Sequence, residues 1–331
     1  MSDITFFIVE TIIKAVVILS VIATLAGLGT YAERKVLAYM QRRVGPWMVG
    51  PAGVLQIVAD MIKLFTKEDA MPSGANRFIF LIAPIISASC AFVAMSVIPF
   101  LPEFEIFGHV VRPILSDVNI GILFLLSVSG TCVYGTLIGG LASYNKWGVI
   151  GSARSVLQLI SFEIVNGLSL IPVIMMVGSL SLIDIIHEQN NGITSWFLIK
   201  QPVCFVLFTI AAFIECNRTP LCLTENETEL VAGCGTAYSG MRWGMFFIGE
   251  YANMITYSIV ISLIFLGGFN SFWFIPGSLM IFLKASFIFF FMLWARAAWP
   301  HLRPDQLMDL CWKICMPIAL ICIFVTAFVI I

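Results

Sequence analysis

Eight separate stretches of this chain, roughly residues 7–31, 78–101, 118–142, 157–180, 196–215, 244–268, 272–296 and 314–331, are apolar over a span-like length. A helix needs about 20 such residues to cross the hydrocarbon core of a membrane. Backbone N–H and C=O groups find no water in that core, so each stretch must close its hydrogen bonds internally as a helix. The expected fold is therefore an all-α polytopic membrane protein with about eight transmembrane helices. Composition agrees: 60% of the 331 residues are hydrophobic and 11% are charged, against about 25% charged in a soluble domain. With no linker, low-complexity tract or internal repeat, residues 1–331 are expected to form a single integral-membrane domain. The missing repeat also counts against transporters built from two inverted halves. Asp3 and Glu10 stand where a secretory signal would carry basic residues, so the first apolar segment is expected to be retained.

Charge sorts the connections into two sides. Fourteen basic residues (Arg34, Lys35, Arg42, Arg43, Lys63, Lys67, Arg77, Lys146, Arg154, Arg218, Arg242, Arg296, Arg303 and Lys313) follow the odd-numbered spans, and only Arg112 follows an even-numbered one. The positive-inside rule then puts both termini outside and the 32–77, 143–156, 216–243 and 297–313 segments in the cytoplasm. A net charge of −1 without a Lys/Arg run excludes nucleic acid as a partner.

Within the first inward segment, Val54, Ile57, Val58, Met61, Ile62 and Phe65 recur at helical spacing, with Gln56, Asp60, Lys63 and Lys67 between them. This pattern predicts an amphipathic helix lying in the membrane interface. Pro51 suits a first helical turn, and Gly45, Pro46 and Gly50 punctuate the approach. Gly135 and Gly139 predict a close helix contact in the third span.

The nine cysteines fit no zinc or iron–sulfur spacing, and His109, His187 and His301 lie far apart in the chain. Nor is there a Walker sequence, a GxGxxG or a nucleophile elbow. The residues thus predict no metal, cluster, flavin or nucleotide held by this chain.

Charges inside the spans are the chemical signal, because a carboxylate at mid-membrane costs roughly 2.5–3.5 kcal/mol on insertion scales. Glu10 and Lys14 are spaced to neutralise each other, and Lys200 can snorkel to the surface. Lys284 needs a partner the sequence does not name. Glu163 and Glu250 lie about six residues inside their spans, Glu215 closes the fifth, and Glu225, Glu227 and Glu229 follow in the next loop. Repulsion prevents such acids from all ionising together, so one reading is a cluster that shares protons. The other is a set of separate helix-end acids capped by Arg218 and Arg242.

Seven motifs add a resemblance: YAERKVLAYMQRRVGP (31–46), VGPAGVLQIVADMIKLFTKE (49–68), SFEIVNG (161–167), IECNRTP (214–220), ETELVAG (227–233), GEYANM (249–254) and DQLMDLCWK (305–313). In number and order they resemble the family of H subunits of NADH-quinone oxidoreductases, also called NADH dehydrogenase subunit 1, nearly end to end. The resemblance implies a heel subunit of a bacterial inner-membrane, proton-pumping enzyme of the complex I type, forming much of the chamber in which quinone is reduced. Quinone would be its substrate, with electrons arriving from iron–sulfur subunits of a peripheral arm and further membrane-arm subunits as partners. Glu163, Glu215, Glu225, Glu227, Glu229 and Glu250 would then link the chamber to proton pumping, and Arg34, Arg42 and Arg43 would line the chamber or dock the peripheral arm. A hydrogenase's equivalent subunit and a stand-alone proton or cation transporter remain the alternatives. The sequence departs from the family's NRxPFDL at Leu221 and Cys222, from EYSG at Ala237, and from a frequent Asn at Trp47.

Overall fold

The structure is a computed structural model describing residues 2–102, 104–106, 109–111, 113–116, 118–190, 192–222, 231, 233–270 and 276–330, without the side chains of 2–9, 104–106 and 109–111. Helices α1 (Ser2–Met40), α3 (Arg77–Ala94), α4 (Gly121–Ala142) and α5 (Lys146–Val177) provide the first four crossings. Three short helices follow: α6 (Leu182–Glu188), α7 (Phe197–Lys200) and α8 (Pro202–Glu215). Next come α9 (Gly240–Ile264) and α10 (Gly277–Ala298), then α11 (Pro304–Asp309), which runs through a π-turn at Leu310–Cys315 into α12 (Met316–Ile330). The interfacial helix is α2 (Gln56–Thr66).

Seven of the eight expected crossings are helices long and apolar enough to span a membrane, and the fifth is shorter. At 1.5 Å per residue the 14 residues of α8 reach roughly 21 Å, short of a core about 30 Å thick. Pro202 is the cause: it opens α8 as a first-turn proline, and Gln201 before it takes φ −134°, ψ 60°, which separates α7. Three other helices outrun their apolar stretches, among them the last, which is helical from Pro304 rather than 314. Asn145 caps α5, its Oδ1 accepting from the Trp147 N–H at 3.2 Å, so most of the expected 143–156 loop is helical. The end of α1 likewise carries Glu33 and Arg34 beyond residue 31. One antiparallel strand pair, Phe104–Ile106 with His109–Val111, adds to the helices.

Helix α9 lies at the centre, packed by α1, α2, α3, α6, α8 and α10. Every residue from 251 to 265 is buried. Yet its mean hydropathy of 1.4 is the lowest of the seven spans, whereas the lipid-exposed α1 and the last span reach 2.3 and 2.5. Surfaces that meet hydrocarbon must be apolar, while a surrounded helix can keep polar side chains that find partners. Thr256 and Ser258 bond to the carbonyls of Ala252 and Met254, and the Tyr257 hydroxyl donates to Ser129 Oγ at 3.1 Å. Gly135 permits the tight α3–α4 contact, since a Cβ there would stand 2.9 Å from Ser87 Cβ.

On α2, Val58, Met61, Ile62 and Phe65 are all exposed, as a helix resting on lipid requires. Its polar edge is tied to α1: Asp60 pairs with Arg34 at 2.5 Å and accepts from Gln56 at 3.0 Å, and the Tyr31 hydroxyl donates to the Ala52 carbonyl at 2.8 Å.

Candidate functional site

Where α1 leaves its apolar stretch, the carboxylate of Glu33 is buried among groups from three distant parts of the chain. Arg218 donates to its Oε2 at 3.0 Å, the Tyr251 hydroxyl donates to the same oxygen at 2.5 Å, and Arg296 pairs with Oε1. The Arg218 guanidinium also stacks on the Tyr251 ring, 4.3 Å from its centre. Burial works against the charge on Arg218, but the oxygens of Tyr251, Glu33 and Glu250 outweigh it and hold the group above its ordinary pKa. Two guanidiniums, Arg218 and Arg296, thus share the Glu33 carboxylate, with the Glu250 carboxylate in the same field.

A second group of acids adjoins the first. Glu215 closes α8, buried, and interacts electrostatically with Glu163 of α5. Gly130 of α4 makes room for Glu163, since a Cβ there would stand 2.1 Å from Oε1. Cys216 lies in the combined field of Glu215, Arg218 and Glu250, joining the two groups. Around Glu215 is a polar lattice: Asn166 donates to the Tyr257 hydroxyl at 3.3 Å, and Asn253 donates to Cys132 Sγ at 3.7 Å. Asn166 Oδ1, Asn217 Oδ1, Thr219 Oγ1 and two nitrogens of Arg218 find no hydrogen-bond partner among the described residues. Buried polar atoms of this kind cost free energy unless a further group completes them.

The structure therefore brings Glu163, Glu215 and Glu250 into one electrostatic neighbourhood, while Glu225, Glu227 and Glu229 lie outside the described residues. Arg218, one of the two basic residues expected to cap helix-end acids, binds Glu33 and lies in the field of Glu250, and Arg242 pairs with Asp69 at 2.8 Å. Arg34 is committed to Asp60, and Arg42 and Arg43 are exposed in the turn after α1. Lys284 gains the partners its sequence position left unnamed, its Nζ donating to the Gly268 carbonyl at 3.1 Å and lying 4.5 Å from the centre of the Trp196 ring. The residue sequence reasoning missed is Glu33. Its one signal is that an acid follows directly on an apolar stretch, inside YAERK.

A cleft of about 190 Å³ between α1, α9 and α10 opens beside this cluster, lined by Leu25, Leu28, Gly29, Ala32, Ile255 and Phe289. At its inner end a Cβ on Gly29 would stand 3.1 Å from the Tyr251 ring. An apolar passage thus adjoins the tyrosine that bonds Glu33. Among the described residues no three His, Cys, Asp or Glu side chains converge as metal ligands.

The family model described as NADH dehydrogenase matches residues 13–327. The chain is 99% identical, over the full length of both sequences, to the H subunit of the NADH-quinone oxidoreductase of Campylobacter hominis. It is 70% identical to the H subunit of Campylobacter curvus, covering 98% of each chain, and 60% identical to that of Campylobacter jejuni, covering 99% of this chain and 98% of the other. The chain belongs to the NADH dehydrogenase family, in the branch formed by the H subunits of NADH-quinone oxidoreductases.

Proposed function

We propose that the chain serves as the membrane subunit that joins quinone reduction to proton translocation in an enzyme of the complex I type. The observation that carries this reading is Glu33, held by Arg218, Arg296 and Tyr251 beside an apolar cleft, with Arg218 in the field of Glu250 and Cys216 in the fields of Glu250 and Glu215. A quinone has an apolar tail and a head with two carbonyl oxygens. The cleft suits the tail, and an arginine-rich polar end suits the head. Two electrons bring negative charge onto the quinone, and the two protons that complete the neutral quinol leave nearby groups, so the charge of those groups changes during turnover. Because closely spaced acids titrate together, that change redistributes protons between Glu250, Glu215 and Glu163, and on to Glu225, Glu227 and Glu229. Electrons come from iron–sulfur subunits of the peripheral arm, which docks on the exposed Arg42 and Arg43. The charge asymmetry supports a cytoplasmic-membrane location with both termini outside.

The test is purification through a tag on this chain. Peripheral-arm and membrane-arm subunits should co-purify with quinone reductase activity, and the isolated chain in liposomes should move no ions. Ion transport by the chain alone would replace this reading with a self-sufficient transporter.

A further inference from the structure

Away from the charge cluster, where α3 begins and α4 ends, a groove of about 490 Å³ runs between the two helices. Its walls are apolar, formed by Phe78, Ile79, Ile82, Ile138 and Leu141, and the ring of Tyr144 stands at its mouth against Gly74, where a Cβ would meet the ring at 2.5 Å. Two exposed cations are close in sequence to residues that line the groove. Arg77 immediately precedes Phe78, and Lys146 follows Tyr144 by two positions. Arg34, Arg218, Arg242 and Arg296 all hold carboxylates, but neither Arg77 nor Lys146 makes an ion pair among the described residues. Trp147 is half exposed next to Lys146, and Phe78 and Tyr144 are 71% and 78% exposed.

Hydrocarbon fills an apolar groove at membrane depth. Aromatic side chains gather at the level of lipid headgroups, and basic side chains there attract anionic ones. We propose that this groove binds one acyl chain of an anionic phospholipid, with the lipid phosphate held between Arg77 and Lys146. A helix from a neighbouring protein fits less well, because it would have to bring an acid to the same level. The site adjoins other parts of the molecule through Ala142, which lines the groove and packs with Phe80 and Tyr238. The Tyr238 ring stacks on Phe80 at 4.1 Å, and Ser239 bonds the Glu68 carbonyl at 3.1 Å. A bound lipid therefore braces the packing that holds the 66–76 segment to the start of α9.

The experiment uses the intact complex in nanodiscs of phosphatidylcholine containing or lacking phosphatidylglycerol, with Leu141→p-benzoylphenylalanine as a photocrosslinker at the rim of the groove. Mass analysis of this chain should show a phosphatidylglycerol adduct in preference to phosphatidylcholine. Removing a basic residue beside an anionic headgroup weakens binding about five-fold, so Arg77→Gln with Lys146→Gln should lower the adduct roughly 25-fold. Arg77→Lys with Lys146→Arg should retain it. The comparison of the two lipids needs no charge variant and so stands even if the double Gln chain assembles poorly. Equal labelling of both lipids, a crosslink to another protein of the complex, or no adduct at all would overturn the proposal.

Discussion

Arg218 and Glu33, 185 positions apart in the chain, meet at 3.0 Å with side chains only 4% and 6% exposed. Removing one partner of a buried pair strands the other charge, at a cost of roughly 3–5 kcal/mol. Here Arg296 binds the same carboxylate, so Glu33→Gln removes the charge that both guanidiniums share. We expect Glu33→Gln to lower quinone reductase activity at least tenfold and to lower the thermal stability of the complex, measured on membranes with subunit content followed by native gel. Wild-type activity at wild-type stability would remove Glu33 from the coupling path.

Glu215 supports a sharper separation of charge from structure, because it is buried beside Glu163 and no basic residue pairs with it in the ion pairs described. Glutamine keeps its size and hydrogen bonding but cannot release a proton. Glu215→Gln, and Glu227→Gln further along the sequence, should each leave the complex assembled and strongly reduce quinone reduction and proton pumping. Cys222→Ala should change either rate by less than two-fold. Normal rates in both Gln variants would make these acids structural helix-end residues.

Gly130 tests the placement of Glu163 without touching its charge. An alanine methyl would lie 2.1 Å from the carboxylate oxygen and force it aside, whereas a Cβ on Gly167, in the same helix as Glu163, meets nothing within 4 Å. Gly130→Ala should lower pumping several-fold in an assembled complex, and Gly167→Ala should leave it unchanged. Equal behaviour of the two variants would show that the position of Glu163 is immaterial.

The contrast between these residues and the spans shows what a sequence can display. Spans, the interfacial helix and the Glu10–Lys14 pair, found at 2.7 Å, follow from spacing within a single segment. The partners of Glu33 lie 185, 218 and 263 positions away, and no local period records them. Convergence of Glu163 and Glu215 could be anticipated from their similar depth on two helices, but which arginine served which acid could not. Hydropathy also gave the fifth span its full length, because an apolar run does not register the break that Pro202 imposes on backbone geometry.

Lys284 illustrates the same point and yields a prediction of opposite sign. Its charge rests on the Gly268 carbonyl and the Trp196 ring, and no acid pairs with it in the ion pairs described. A buried charge without an acid partner costs free energy, and an apolar side chain of similar volume removes that cost. Lys284→Met should therefore leave quinone reductase activity and proton pumping within two-fold of wild type, with stability equal or higher. A selective loss of pumping in this variant would give Lys284 a place in proton transfer.

Orientation is the last relationship that can be put to experiment, and the distribution of basic residues decides what to expect. With fourteen on one side of the spans and Arg112 alone on the other, the positive-inside rule places the segment following α6 outside and the 66–76 segment in the cytoplasm. On a background lacking reactive native thiols, Asn190→Cys should react with a membrane-impermeant maleimide added to intact cells, and Ser73→Cys should react only after lysis. Both sites suit the test, since Asn190 lies just past α6 and Ser73 is exposed. Labelling of Ser73→Cys from outside would invert the topology. It would also move Glu33, Glu163 and Glu215 away from the cytoplasmic side on which the proposed function places the peripheral arm, and that proposal would not stand.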